Sequence, residues 1–305
     1  MNHNYERLSG VFAPVVTPFR NDDPDLEALA FNLRRLRRTN LTGYLALGSN
    51  GEAKSLTDKE RLLVLEVFAR ERGDKIVMVG TGCESTSETI EKSQAAVQLG
   101  FDYVSVLPPH YFPKLMNDAA MVRHYDRIAE KVALPVLLYN APQFTGGVQI
   151  SPKTIVQLSR HPNIAGVKDS SAAGPTKLLA ALEPDEDFAV LAGSLNTFYS
   201  SLHLGATGGV ISLANVVPDR CAELYDLYQQ GLYERARELS AALVRLSQTV
   251  SGSWGVAGVK AAMDLVGLKG GRPREPLMPA PVEAVGRIRE TMVAEGFIVA
   301  EPGAE

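Results

Sequence analysis

The chain has 305 residues, enough for one large α/β barrel or two ordinary domains. Apolar residues make up 45% and charged residues 22%, which excludes a disordered or collagen-like chain and supplies enough side chain for a sizeable core. With 31 Lys and Arg against 35 Asp and Glu, the net charge of -4 gives no electrostatic reason to expect nucleic acid. Cys83 and Cys221 stand far apart without Cys-x-x-Cys spacing, so neither a disulfide framework nor a thiolate zinc site is expected. Nine residues precede the first apolar run, and no apolar run approaches the roughly 18 residues of a membrane span. The expectation is a soluble, cytoplasmic protein that engages no membrane.

Eight short apolar runs follow in order: Gly10 to Pro18, Gly43 to Gly48, Lys75 to Gly82, Tyr103 to Pro109, Pro135 to Asn140, Ile164 to Ser170, Phe188 to Ser194 and Gly208 to Asn215. Their starts lie 20 to 33 residues apart, and helix signals separate them. Asp25 to Leu36 puts Leu26, Leu29, Leu33 and Leu36 on one face, Thr57 with Glu60 reads as a capping box, and Ser151-Pro152 reads as a helix start. Uninterrupted apolar strands alternating with helices predict a parallel sheet covered by helices. Eight such units match a closed (β/α)₈ TIM barrel better than an open doubly wound sheet. From Val216 the pattern is helical alone, over Asp219 to Gln230, Tyr233 to Ser251, Val256 to Val266 and Pro281 to Glu295, while the Gly- and Pro-rich stretch Gly267 to Pro281 cannot be regular. The expected organisation is a barrel over 1–215 and a C-terminal helical extension over 216–305.

In a barrel the active site lies at the C-terminal ends of the strands, so polar residues ending apolar runs carry the information. Lys168, in Ile-Ala-Gly-Val-Lys-Asp-Ser, is the most unusual, because an ammonium in a buried strand is costly unless paired or deprotonated. An exposed edge residue or an ion pair with Asp169 is the competing reading. Tyr139 ends the preceding strand and taken singly reads as a packing tyrosine. Together, a lysine and a phenol without metal ligands suit Schiff-base chemistry, in which a free amine attacks a ketone and an uncharged donor passes protons. Lowering a lysine pKa from about 10.4 to about 7 or 8 costs roughly 3 to 5 kcal/mol, which burial beside apolar strands can supply.

The turn Gly48-Ser49-Asn50-Gly51-Glu52 offers a nest of backbone N–H groups for a carboxylate or phosphate, although many βα turns need glycine for geometry alone. The same two readings apply to Gly205 to Gly209. The five histidines are scattered without metal-ligand spacing, and no Gly-x-Ser-x-Gly elbow occurs, so a metal centre and an α/β-type serine hydrolase are not expected.

Gly48 to Glu52, Tyr139 to Gly146 (YNAPQFTG), Gly166 to Ser170 (GVKDS), Leu191 to Ser194 (LAGS) and Gly208 to Asn215 (GGVISLAN) together resemble the dihydrodipicolinate synthase and N-acetylneuraminate lyase family. The likeness runs from Ala13 to Phe19 (APVVTPF) through Arg272 to Leu277 (RPREPL), nearly the whole chain. It implies a (β/α)₈ barrel with a helical C-terminal part, a homotetrameric assembly, and pyruvate or another 2-oxo acid held as a Schiff base with no cofactor. By the resemblance, Lys168 is the Schiff-base lysine, Tyr139 the proton-relaying tyrosine, and Ser49 a relay hydroxyl. The N–H groups of Ser49 and Asn50 would hold the keto-acid carboxylate, and Gly193 and Ile211 would line the site. Tyr111 matches the tyrosine that reaches across a subunit interface, with His110 standing where the family usually has a tyrosine. Phe144 stands where dihydrodipicolinate synthases carry the arginine that binds a second carboxylate, which removes a bidentate partner and disfavours the lysine pathway. The resemblance is nearest the 4-hydroxy-2-oxoglutarate aldolase branch. Dihydrodipicolinate synthase, a sugar-acid aldolase or dehydratase, and a catalytically silent keto-acid binder are the alternatives.

Overall fold

The computed structural model describes residues 4–182 and 187–299, with the side chains of residues 4 and 5 left aside. The eight apolar runs form the eight parallel strands of a closed barrel: β1 (Gly10–Pro14), β2 (Gly43–Ala46), β3 (Ile76–Gly80), β4 (Tyr103–Val106), β5 (Val136–Asn140), β6 (Ile164–Asp169), β7 (Ala189–Ala192) and β8 (Gly208–Val210). Each strand pairs with its neighbours in sequence, and β8 closes on β1. Every strand is shorter than the run that announced it wherever the trailing residues turn outward into βα loops, as Gly48 to Gly51 do after β2.

The two faces of the strands feed two cores. Phe12, Leu45, Met78, Leu137, Leu191 and Val210 belong to one buried cluster, while their neighbours Val11, Ala46, Val77, Leu138 and Val190 pack in a second. Period-2 alternation explains the division, the first set filling the barrel and the second meeting the helices. Each of the larger side chains among them, fully buried, contributes about 1.5–3 kcal/mol of transfer free energy.

Local chemistry sets the helix starts. Asp25 accepts from the Ala28 N–H at the head of α1 (Leu26–Leu36), whose Leu29, Leu33 and Leu36 are buried while Leu26 is half-buried. Both halves of the Thr57–Glu60 capping box form at α2 (Asp58–Glu71). The outer ring continues with α3 (Thr86–Gln98), α4 (Asp118–Lys131), α5 (Pro152–Leu158), α6 (Thr176–Leu179) and α7 (Leu195–His203), with Ser151 capping α5.

After β8 come α8 (Pro218–Gln229), α9 (Tyr233–Ser247), α10 (Ser253–Leu265) and α11 (Val282–Ala294). The helix expected over Tyr233 to Ser251 instead changes at Gln248–Gly252 into a π-helical turn, and Gly255 (φ 53, ψ −136) breaks the path again. Ser251 and Ser253 hydroxyls donate to the Ser247 and Gln248 carbonyls there, a competition with the backbone ladder that distorts helices. The stretch between α10 and α11 is irregular and strapped to the barrel. Asn32, fully buried in α1, donates to the Lys269 carbonyl and accepts from the Lys269 N–H, both at 2.8 Å, and Arg272 bridges to Phe19. Among the described residues no helix is long and apolar enough to cross a membrane.

Candidate active site

A cavity of about 840 Å³ opens at the C-terminal ends of the strands. Lys168 on β6 and Tyr139 on β5 pair directly in register, and the Lys168 Nζ lies 4.2 Å from the centre of the Tyr139 ring. They are 5% and 4% exposed and both line the cavity. Asp169 does not neutralise the lysine. Its carboxylate is taken up by the Asn140 amide (3.1 Å) and the Ser171 N–H (2.7 Å), because successive strand residues point to opposite faces. The amine is thus presented to the cavity over the face of the Tyr139 ring, with no carboxylate paired to it.

The turn after β2 forms the opposite wall, with Ser49 and Asn50 on the cavity. Leu47 (φ 53) and Glu52 (φ 50) both adopt the left-handed region, an uncommon state for such residues that marks a turn held by its surroundings. The Leu47 carbonyl comes so close to Gly80 that a Cβ there would sit 2.1 Å from it. Inside the turn, Glu52 N–H donates to the Ser49 carbonyl (3.0 Å) and Gly51 accepts from the Thr17 hydroxyl (2.8 Å). No described residue accepts from the N–H groups of Ser49 or Asn50. The Asn50 Nδ2 and the Ser170 Oγ are buried without a partner and belong to cavity-lining residues. Unmet buried donors are costly unless something supplies an acceptor. Gly193 lines the cavity too, and a Cβ there would sit 1.8 Å from the Ser170 Oγ, so glycine is what leaves room for that hydroxyl.

Not every expected residue converges. Phe144, in the 3₁₀ turn Pro142–Phe144, lines the mouth and is 52% exposed. Ile211 is buried in the cluster between sheet and helices instead of lining the cavity. Tyr111 is 75% exposed and outside the cavity, stacked edge-on against Phe112. Glu84 fixes its loop by accepting from the N–H groups of His110 (3.0 Å) and Tyr111 (2.8 Å). The cavity's other cations are occupied with backbone: Lys54 donates to the Gly82 carbonyl, and Arg61 to those of Ala53 and Gly80. Among the described residues no group of His, Cys, Asp and Glu is arranged to hold a metal ion.

Three features escaped sequence reading. Ser170 was legible in principle, since it stands two residues beyond Lys168 and period 2 returns it to the same face. The C-terminal helices supply Ser247, Ser251 and Trp254 to the mouth, which no local pattern announced. Lys260, fully buried in α10, lies 2.5 Å from a Glu52 carboxylate oxygen; burial pulls its pKa below the usual lysine value while Glu52 draws it back up.

The model of the dihydrodipicolinate synthetase family matches residues 7–294. A 4-hydroxy-tetrahydrodipicolinate synthase of Methanospirillum hungatei is 35% identical over 290 residues, covering 93% of this chain and 98% of that one. A probable mitochondrial 4-hydroxy-2-oxoglutarate aldolase of Emericella nidulans is 32% identical over 296 residues, 94% of each chain. Among solved structures, a chloride-inhibited dihydrodipicolinate synthase of Acinetobacter baumannii, complexed with pyruvate, superposes with a TM-score of 0.88 at 29% identity, covering 95% of this chain and 100% of that one.

Proposed function

The chain belongs to the dihydrodipicolinate synthetase family, whose members are lyases and aldolases, and from that premise we propose that it forms an imine between Lys168 and pyruvate or a longer 2-oxo acid. The observation that carries this reading is the in-register Lys168–Tyr139 pair facing unmet N–H donors across one cavity. The neutral amine attacks the C2 carbonyl, the carbinolamine loses water, and the iminium makes C3 acidic. Loss of a C3 proton leaves an enamine that adds to an aldehyde carbon; hydrolysis of the new iminium returns the lysine and releases the aldol. Cleavage is the reverse. The iminium nitrogen takes up the electron pair, so the proposed cycle calls for no cofactor.

Tyr139 passes protons during carbinolamine formation and breakdown, with Ser49 and a Tyr111 from a neighbouring subunit as relays. The Ser49 and Asn50 N–H groups hold the substrate carboxylate, and Gly193 keeps the adjoining wall open. A homotetramer in the cytoplasm completes the reading; the exposure of Tyr111 and Phe112 supports an interface at that loop. For the aldehyde partner, Phe144 at the mouth, with Lys54 and Arg61 turned to backbone carbonyls, leaves a second carboxylate without a guanidinium and so favours sugar-acid cleavage, while the 4-hydroxy-2-oxoglutarate reading is supported by the 32% identity to the Emericella nidulans protein. The synthase reading has its own support in the 35% identity to the Methanospirillum hungatei enzyme.

Incubation with pyruvate and borohydride tests the chemistry. A reduced pyruvyl adduct should form on the peptide containing Lys168, and an unmodified protein would mark a binder without imine chemistry. Parallel turnover assays with 4-hydroxy-2-oxoglutarate and with aspartate semialdehyde then separate the two substrate readings.

A further inference from the structure

The carboxylate-binding turn ends on a charge that the proposed reaction does not use. Glu52 lines the cavity, is 5% exposed, and has left-handed backbone. Its Oε1 lies 2.5 Å from the Lys260 ammonium and its Oε2 accepts from the Arg274 N–H at 2.8 Å. Lys260 also donates to the Arg272 carbonyl (2.9 Å) and sits 4.6 Å from the centre of the Phe19 ring. Both groups that hold Glu52 therefore come from the C-terminal segment, more than 200 residues further along the chain. The neighbouring charges are otherwise engaged: the Arg274 guanidinium pairs with Glu60 and Asp22, and Asp264 accepts from the Gly270 N–H.

A bare carboxylate two or three positions beyond Ser49 and Asn50 would repel an incoming carboxylate, and in a buried setting water screens that repulsion poorly. We propose that Lys260 is a positioning residue for 2-oxo-acid binding: by holding and neutralising Glu52 it keeps the turn receptive to the substrate carboxylate. The proposal rests on the imine reading of the cavity and assigns Lys260 no part in the chemistry. It also gives the C-terminal helices a direct influence on substrate affinity.

Borohydride trapping on the full chain, run as a concentration series with pyruvate and with its neutral amide, pyruvamide, tests it. Lys260→Met is expected to raise half-saturating pyruvate by about ten-fold while moving half-saturating pyruvamide by no more than about two-fold. Lys260→Gln, which retains a hydrogen-bonding group against Glu52 and Arg272, carries the same test if Lys260→Met does not fold. The double variant Glu52→Gln/Lys260→Met, with no charge at either position, should recover most of the pyruvate affinity. Equal weakening of both probes would reduce Lys260 to a structural strut and overturn the proposal, as would an unmoved half-saturation or a double variant as weak as the single. A parent protein that is not trapped at all overturns the imine reading and this proposal with it; a trapped parent with any of those variant results overturns this proposal alone.

Discussion

Lys168 and Tyr139 meet because β5 and β6 run in register, and among the described residues of the cavity no other pair combines a buried amine with a phenol. Lys168→Ala should abolish turnover and trapping while leaving the melting temperature close to that of the parent; retained turnover would reject the nucleophile. Tyr139→Phe should slow turnover by about 10² to 10⁴ with trapping still directed to Lys168, as expected for a lost proton donor. A third residue gives a stability prediction. His124 is 6% exposed, its Nδ1 shares a 2.8 Å hydrogen bond with the Thr86 hydroxyl, and burial pulls its pKa from 6.5 down to about 4. The unfolded chain takes up that proton first, so this stability is present above pH 6.5 and drains away as pH falls toward 4, reaching roughly 3 kcal/mol. Over that window the melting temperature of the parent should fall more than that of His124→Leu. At this scale the sequence was informative where a residue broke its surroundings, as a lysine does in an apolar strand. It did not give the orientation of Ile211, expected to line the site, whose side chain turns to the helix side, because one residue of register decides which face is served.

Among the elements, the irregular stretch between α10 and α11 does more than connect them. Arg274 reaches α2 with two guanidinium bonds to Glu60 (2.6 and 2.9 Å) and holds the Ser55 carbonyl at 2.7 Å. Its guanidinium pushes the Glu60 pKa down to about 2. Arg274→Ala should therefore cost about 1–3 kcal/mol at neutral pH, seen as a lower melting temperature. The difference from the parent should shrink as pH falls from about 4.5 through 2, because a protonated Glu60 gains nothing from the arginine. Helix starts were readable from the sequence because caps are local; the Thr57–Glu60 box and the Ser151 cap need only neighbours within three residues. The strap was readable only as irregular, since its bonds to Asn32, Glu52 and Glu60 span more than 200 residues. The π-helical turn at Gln248–Gly252 likewise depends on serine hydroxyls competing with the backbone, which periodicity does not register.

Across the whole molecule, eight regularly spaced apolar runs sufficed to specify the closed barrel, because a parallel sheet buried on both faces leaves an unbroken apolar signature. Convergence of the loops on one cavity followed from the barrel, while the contribution of the C-terminal helices to the mouth did not. The exposed Tyr111 makes assembly part of the functional reading. If it completes the relay of a neighbouring subunit, Tyr111→Phe and Lys168→Ala proteins, each impaired alone, should regain activity when dissociated and reassembled together, since some mixed sites then carry both intact residues. No recovery in verified mixed oligomers would show that Tyr111 does not act across an interface. The central claim is the carbon–nitrogen bond, and a crystal of the active protein soaked in pyruvate tests it most directly. The account predicts continuous electron density from the Lys168 Nζ to the C2 carbon of the ligand, with the carboxylate against the Ser49 and Asn50 N–H groups. Pyruvate resting in the cavity at van der Waals distance, with density broken between it and the lysine, would contradict it.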